Sequence, residues 1–146
     1  YLPRLASGEW IGCMVLTEPD AGSDVASMRT TAEKKGDKYV LNGSKIFITN
    51  GPIADVAVVY AKTDPGAQHA GISAFIVEKG TKGFEAGPPL IKMGVRTSQT
   101  SELFFSNCEI PVENLLGAEG EGFNMSLQTV EWDRSALLTP FVGAAR

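Results

Sequence analysis

The residues best equipped for chemistry fall in three stretches. The first is Leu16-Thr17-Glu18-Pro19-Asp20-Ala21-Gly22-Ser23-Asp24, which follows the strand-like run Ile11 to Thr17. Pro19 fixes φ and has no N–H, so a strand stops there. Gly22 permits a positive φ or a close backbone approach. Thr17, Ser23 and Asp24 add hydroxyl and carboxylate oxygens around backbone amides. Such a corner suits a polar ligand carrying phosphates or an amide-rich ring. The same residues fit a plain capped turn, with Ser23 or Asp24 as the N-cap of a short helix.

The second stretch is Lys45-Ile46-Phe47-Ile48-Thr49-Asn50-Gly51. Side chains alternate along a strand, so Phe47 and Thr49 share one face and Ile46 and Ile48 the other. A ring beside a hydroxyl suits a flat heteroaromatic cofactor, with a surface to pack on and a hydrogen-bond partner at its edge. A half-buried Phe next to a solvent-facing Thr is the simpler alternative. The third stretch is helical in period. Phe123, Leu127, Val130, Leu137 and Phe141 fall within one apolar stripe, and Arg134 sits near its middle. A charge there is costly unless paired, so Arg134 either snorkels at the core edge or meets a carboxylate in a site. Asp133 lies beside it toward the stripe edge.

These stretches need a scaffold. Tyr1 to Gly8 reads as the end of a helix stopped by Gly8. Ile11 to Thr17 carries few charges on either face and should be largely buried. Thr30 to Lys34 and Lys38 to Leu41 are short strands around Gly36-Asp37. Asn42-Gly43 is the strongest hairpin signal, with Ser44 to Thr49 returning. Val56 to Ala61 and Ile72 to Val77 are apolar strands joined by a loop at Pro65 to Gly71. Gly80 to Pro89 should be mostly irregular. Glu102 to Phe105 and the residues near Ile110 supply the last strands. Many short strands separated by turns imply a mainly β, antiparallel barrel or sandwich. Pro140 should kink or interrupt the helix that starts near Gly122. Gly117, Gly120 and Gly122 have no βαβ unit around them and read as an ordinary turn.

Composition excludes several classes. The chain has 146 residues, 43% hydrophobic and 21% charged, as expected of a soluble globular protein with a real core. No apolar run approaches the roughly 20 residues that span a bilayer. A net charge of −4 supplies no basic stripe for nucleic acid. Cys13 and Cys108 lack metal-ligand spacing and read as buried apolar residues in a reducing compartment. His69, the single histidine, falls in a polar run and reads as a surface loop residue. A start at Tyr1, without Met or a signal-peptide pattern, suggests an excised or incomplete chain.

The corner and Lys45 to Gly51, together with Lys92-Met93-Gly94-Val95-Arg96-Thr97-Ser98-Gln99-Thr100-Ser101-Glu102-Leu103, Ile110-Pro111 and Leu115-Leu116-Gly117, resemble the acyl-CoA dehydrogenase family. The resemblance runs in order from Tyr1 to at least Arg134. It implies the end of an N-terminal helical domain at 1–9, a flavin- and acyl-CoA-binding middle β-domain at 10–118, and the start of a C-terminal helical domain at 119–146. The implied cofactor is FAD. By this resemblance the backbone of Met14, Val15, Leu16 and Thr17 contacts the flavin pyrimidine, and Phe47, Ile48 and Thr49 lie on the strand beside the flavin ring. Phe47 stands where the family usually has Trp, and Thr49 matches the hydrogen-bond partner near flavin N5. Ser23 matches a position near the acyl-CoA and the flavin phosphates. Glu131 matches an acidic residue at the adenine end of CoA, and Arg134 an active-site arginine. Most members take their base, a glutamate, from a later helix. A subset places it on this one, where Asp133 stands.

The implied reaction is α,β-desaturation of an acyl-CoA thioester, a carboxylate taking the α-proton while the β-hydrogen leaves as hydride to the flavin. The implied partners are the acyl-CoA substrate and an electron-transfer flavoprotein or similar acceptor. The complete enzyme is expected to be a homotetramer or homodimer in the bacterial cytoplasm or mitochondrial matrix. A non-catalytic β-domain and a piece of an acyl-CoA oxidase stay open as alternatives.

Overall fold

Alternating apolar runs and turn residues build a sheet, and the computed structural model describes it over residues 1–137 and 139–144. Helix α1 (Leu2–Ser7) ends at Gly8, which takes φ 76° and returns its N–H to Leu5. Strands β1 (Gly12–Val15), β2 (Thr31–Lys35), β3 (Lys38–Thr49), β4 (Val56–Lys62), β5 (Ile72–Glu78), β6 (Phe84–Ala86), β7 (Thr100–Pro111) and β8 (Leu115–Leu116) follow, then helices α2 (Gly122–Ala136) and α3 (Thr139–Ala144). The sheet runs β6-β7-β3-β2-β4-β5-β8, with β1 paired to β4 off this path. It is sandwich-like and does not close into a barrel. Most pairs are antiparallel, but β1 lies parallel to β4, as does the single β2–β4 contact at Thr31 and Lys62.

Period-two alternation divides the apolar residues between two clusters. Cys13, Val15, Ala57, Val59 and Ala61 face one cluster with Leu41, Phe75 and Leu103. Met14, Leu16, Val58 and Tyr60 face the other, with Met28, Ile72, Phe123 and Met125. Both faces of β1 and β4 are therefore covered, which is why their sequences carry few charges.

Asn42-Gly43 is not a hairpin turn. The β2–β3 hairpin turns at Gly36-Asp37, and β3 runs on through Asn42-Gly43 against β7. There the register slips: Leu41 faces Cys108 while Gly43 faces Phe105, so β7 holds one extra residue. Asn107 takes φ 47° in that bulge, and its N–H donates to Asn42 Oδ1 at 2.8 Å. A Cβ on Gly43 would come within 2.4 Å of Thr30 Oγ1, so the glycine serves close packing of β3 on Thr30. The expected irregular stretch at 80–89 contains β6, and β7 is one continuous strand across the two segments expected there.

The helical stripe also differs. Among the described residues α2 buries Gly122 and Ser126, and Phe123, Met125, Thr129 and Val130 are partly covered. Leu127, Arg134 and Leu137 are exposed, so Arg134 is not a charge held in an apolar face. Phe141's side chain lies outside the described residues. α2 ends ahead of Pro140, which falls in the first turn of α3 where a missing N–H costs nothing. Gly122 is more than a turn residue: a Cβ there would lie 2.7 Å from the carbonyl carbon of Ser73, so only glycine lets α2 start against β5. No described helix is long and apolar enough to cross a membrane.

Candidate functional site: a pinned corner beside a bulged strand

β1 delivers the chain to the corner, and the corner closes on itself. Glu18 N–H donates to Ala21 O at 3.0 Å and Ala21 N–H to Glu18 O at 3.2 Å, with Pro19 and Asp20 at the tip. Asp24 stands at the N-cap position of a 3-10 turn at Val25–Ser27, yet its carboxylate accepts from the Ser27 hydroxyl rather than from a backbone amide. Ser23 is exposed beside it. β3 lies against the corner: Ile46 N–H donates to Thr17 O at 2.9 Å. The structure thus brings Thr17 and the Ile46–Thr49 segment side by side, although they are far apart in sequence.

The end of β3 carries a second bulge. Lys45 faces Leu103 and Ile48 faces Ser101, so two residues of β3, Ile46 and Phe47, stand against one of β7, Glu102. Phe47 absorbs the excess with φ 59°, a left-handed conformation uncommon for a bulky residue. Ile48 is 3% exposed in the first cluster, whereas Phe47 is 64% exposed. Thr49 is exposed as well. Alternation foresees that Phe47 and Ile48 part ways; the strained backbone that lifts the ring is legible only from the pairing.

Beneath the corner lies a feature that sequence reasoning missed. Lys45 Nζ sits 2.9 Å from Glu18 Oε1, with side chains 0% and 5% exposed. The ammonium also donates to Leu16 O at 2.9 Å. Glu18 further accepts from Arg29 N–H at 2.6 Å and Thr30 N–H at 3.0 Å. Burial pushes the Glu18 carboxyl up, but the Lys45 charge and the hydrogen bonds from Thr30, Arg29 and Lys45 outweigh it and hold the group below its ordinary value. Burial pushes Lys45 down against the opposing pull of Glu18. The available signal was a lysine one residue before the bulged segment and a glutamate at the strand end; neither betrays burial.

On the second face of β1 and β4 a groove of about 630 Å³ opens toward α2. Met14, Val58 and Tyr60 form its floor, and Met125, Thr129 and Trp132 its helical wall. Its lining is mostly apolar, so it suits an extended apolar ligand better than a highly charged one. Glu131 lines a smaller neighbouring hollow with Gln128, Trp132 and Ser135. Asp133 and Arg134 are exposed on the same helix, outside the groove lining.

The family model for the acyl-CoA dehydrogenase middle domain matches residues 13–108. The chain belongs to the acyl-CoA dehydrogenase family. It is 52% identical to the mitochondrial isovaleryl-CoA dehydrogenase of Pongo abelii over 94% of this chain and 33% of that protein. A structure reported under "Electron transferring flavoprotein of Acidaminococcus fermentans: Towards a mechanism of flavin-based electron bifurcation" superposes with TM-score 0.87 at 56% identity, covering 88% of this chain and 34% of that one. A structure named as an FAD-dependent dehydrogenase superposes with TM-score 0.95 at 43% identity, covering 98% and 38%. The chain therefore spans about a third of the length of the acyl-CoA dehydrogenases and solved chains it matches.

Within this member of the family, Met14, Leu16 and Thr17 are partly open while Val15 is fully buried. Val15 and Ile48 can reach a ligand only through their backbone. Cys13 and Cys108 are buried free thiols, pushed up to about 12 and about 11 by burial. His69 is exposed in the turn between β4 and β5 and packs its ring against Phe123, 5.5 Å between centroids.

Proposed function

We propose that this chain is the middle β-domain, with flanking helical pieces, of an FAD-dependent enzyme that desaturates an acyl-CoA thioester between its α and β carbons. The observation that carries the reading is the corner at Met14–Thr17, hydrogen-bonded through Thr17 O to Ile46 N–H, next to the bulge that leaves Phe47 exposed. An exposed aromatic ring on strained backbone, on a strand whose Ile46 N–H holds the Thr17 carbonyl, fits a flat tricyclic ring that needs a packing surface and polar partners along one edge. Met14, Val15, Leu16, Thr17, Phe47, Ile48 and Thr49 would hold the ring, and Ser23 the phosphates. FAD, when bound there, supplies the hydride acceptor.

The remaining steps belong to the chain's own residues. The groove walls cover one side of the acyl chain, the helices of the complete enzyme would cover the other, and together they would place the thioester over the corner. Asp133, next to the groove-lining Trp132, accepts the α-proton in this reading. Arg134 supports that carboxylate, and Glu131 meets the adenine end of CoA. An electron-transfer flavoprotein or similar protein takes the electrons onward, in the bacterial cytoplasm or mitochondrial matrix, from a homo-oligomeric enzyme.

The test is to express the complete enzyme, strip and restore FAD, and mix it with short and branched acyl-CoA thioesters without oxygen. Bleaching of the bound flavin by acyl-CoA is the expected result. An apoprotein that takes up no FAD ends the proposal in favour of a non-catalytic β-domain. Direct oxygen consumption without another acceptor reassigns the enzyme as an oxidase.

A further inference from the structure

The corner carries more charge than a turn requires. The Pro19-Asp20 tip is closed by its own two backbone bonds and needs no cation beneath it. Yet Lys45 crosses from β3, fully buried, to reach both Glu18 Oε1 and the Leu16 carbonyl oxygen, each at 2.9 Å. Burying two charges is expensive, and apolar side chains of similar volume often hold a fold equally well or better. What no apolar replacement can do is donate a hydrogen bond to Leu16 O. Consecutive residues of β3 thus hold consecutive carbonyls of the corner: Lys45 takes Leu16 O through its ammonium, and Ile46 takes Thr17 O through its N–H at 2.9 Å. One residue further along β3 stands Phe47, lifted by the bulge.

We infer that Lys45, with Glu18 as its counter-ion, is a positioning residue for the cofactor: its ammonium fixes the Leu16 peptide and with it the edge that Met14–Thr17 present to the flavin, an inference that rests on the FAD reading above. Glu18 keeps the lysine charged and aimed, and its bonds to the Arg29 and Thr30 amides fix the carboxylate from the far side. The pair ties ring placement to strand register, so a shift of the corner cannot occur without breaking a buried ion pair.

The test uses the complete enzyme and the double variant Glu18→Gln with Lys45→Met. The new amide keeps one oxygen to accept from the Arg29 or the Thr30 N–H and turns its NH2 toward the other, and the new thioether fills the lysine's volume without a donor. Apoprotein melting, FAD affinity by fluorescence titration and the visible spectrum of the bound flavin are recorded together. The expected result, read well below the melting transition of each protein, is FAD bound roughly 10- to 100-fold more weakly, the size of a lost hydrogen bond to a charged group, and shifted flavin bands. Wild-type affinity and spectrum in the double variant overturn the inference. If the double variant does not fold, Glu18→Gln alone decides, because it removes the counter-ion that keeps Lys45 charged and aimed at Leu16 O. It should bind FAD more weakly with shifted flavin bands, and a lower melting temperature with wild-type affinity and spectrum assigns the pair to stability alone and overturns the inference. A wild-type apoprotein that binds no FAD overturns the cofactor reading first and this inference with it.

Discussion

Asp133 carries the heaviest chemical assignment and sits in the least enclosed position, exposed on α2 beside Trp132, itself 77% exposed. Asp133→Asn keeps the size of the side chain and removes its proton-accepting form. In the complete enzyme, flavin reduction is expected to fall roughly 10²- to 10⁴-fold with FAD still bound, as read by stopped-flow bleaching. A rate within a few-fold of wild type moves the base to a helix outside this chain. Arg134→Lys should cost less, because it keeps the charge and loses only the planar fork. Glu18 makes a prediction of another kind. Its carboxyl is depressed in the fold, so its share of stability is complete above the ordinary carboxylate value and is lost as pH falls through the lower folded value. The melting temperature of the wild type should therefore fall more steeply below about pH 4 than that of Glu18→Gln. Neither the exposure of Asp133 and Arg134 nor the burial of Glu18 and Lys45 was legible beforehand. Residue type fixes what a group can do, but the packing of distant segments decides whether it meets water.

The bulge at the end of β3 holds the exposed ring in a conformation that favours glycine. Phe47→Gly removes a side chain that buries little and relieves a strain of about 1–3 kcal/mol, so the apoprotein should melt no lower than wild type. The same change should weaken FAD binding, because the packing surface is gone. A variant that loses stability and keeps FAD would place the ring in the fold rather than in the site. Gly122→Ala tests the other positioning element. Its Cβ would press on the backbone of Ser73, so α2 must back away from β5, and destabilisation of about 2 kcal/mol or more is expected by chemical denaturation. Most of the strand-forming runs were readable from alternation and turn residues, though not β6 or the continuity of β3 and β7, and so was the split between Phe47 and Ile48. The two bulges were not, because a bulge is a mismatch between two strands and exists only in their mutual register. Asn42-Gly43 shows the same limit. The dipeptide has the chemistry of a tight turn, and the fold spends it on capping the bulge in β7 and on contact with Thr30.

At the scale of the whole molecule, α2 rests on β5 and the Pro65–Gly71 turn, and one side of its groove-lining wall stands open. The apolar stripe inferred from helical spacing fails for this reason. Spacing shows that a helix has an apolar face, while the elements packed on it decide which residues are covered. An open groove admits water to the acyl chain, so the 146-residue chain alone is expected not to reduce an artificial dye with acyl-CoA. Measurable turnover by the isolated chain would show that the β-domain and α2 suffice. The parallel seating of β1 has a further consequence, for the order of assembly. Hairpin β2–β3 and the β4–β5 pair join near neighbours along the chain, but Gly12 must find Val56. Long-range parallel pairing carries a loop-closure cost before it gains any contact. β1, and the corner it delivers, should therefore be among the last parts to dock. In a refolding chain, amides of Cys13–Val15 should gain exchange protection after those of Val56–Glu78, so that a cofactor arriving early meets a finished sheet and no place to bind.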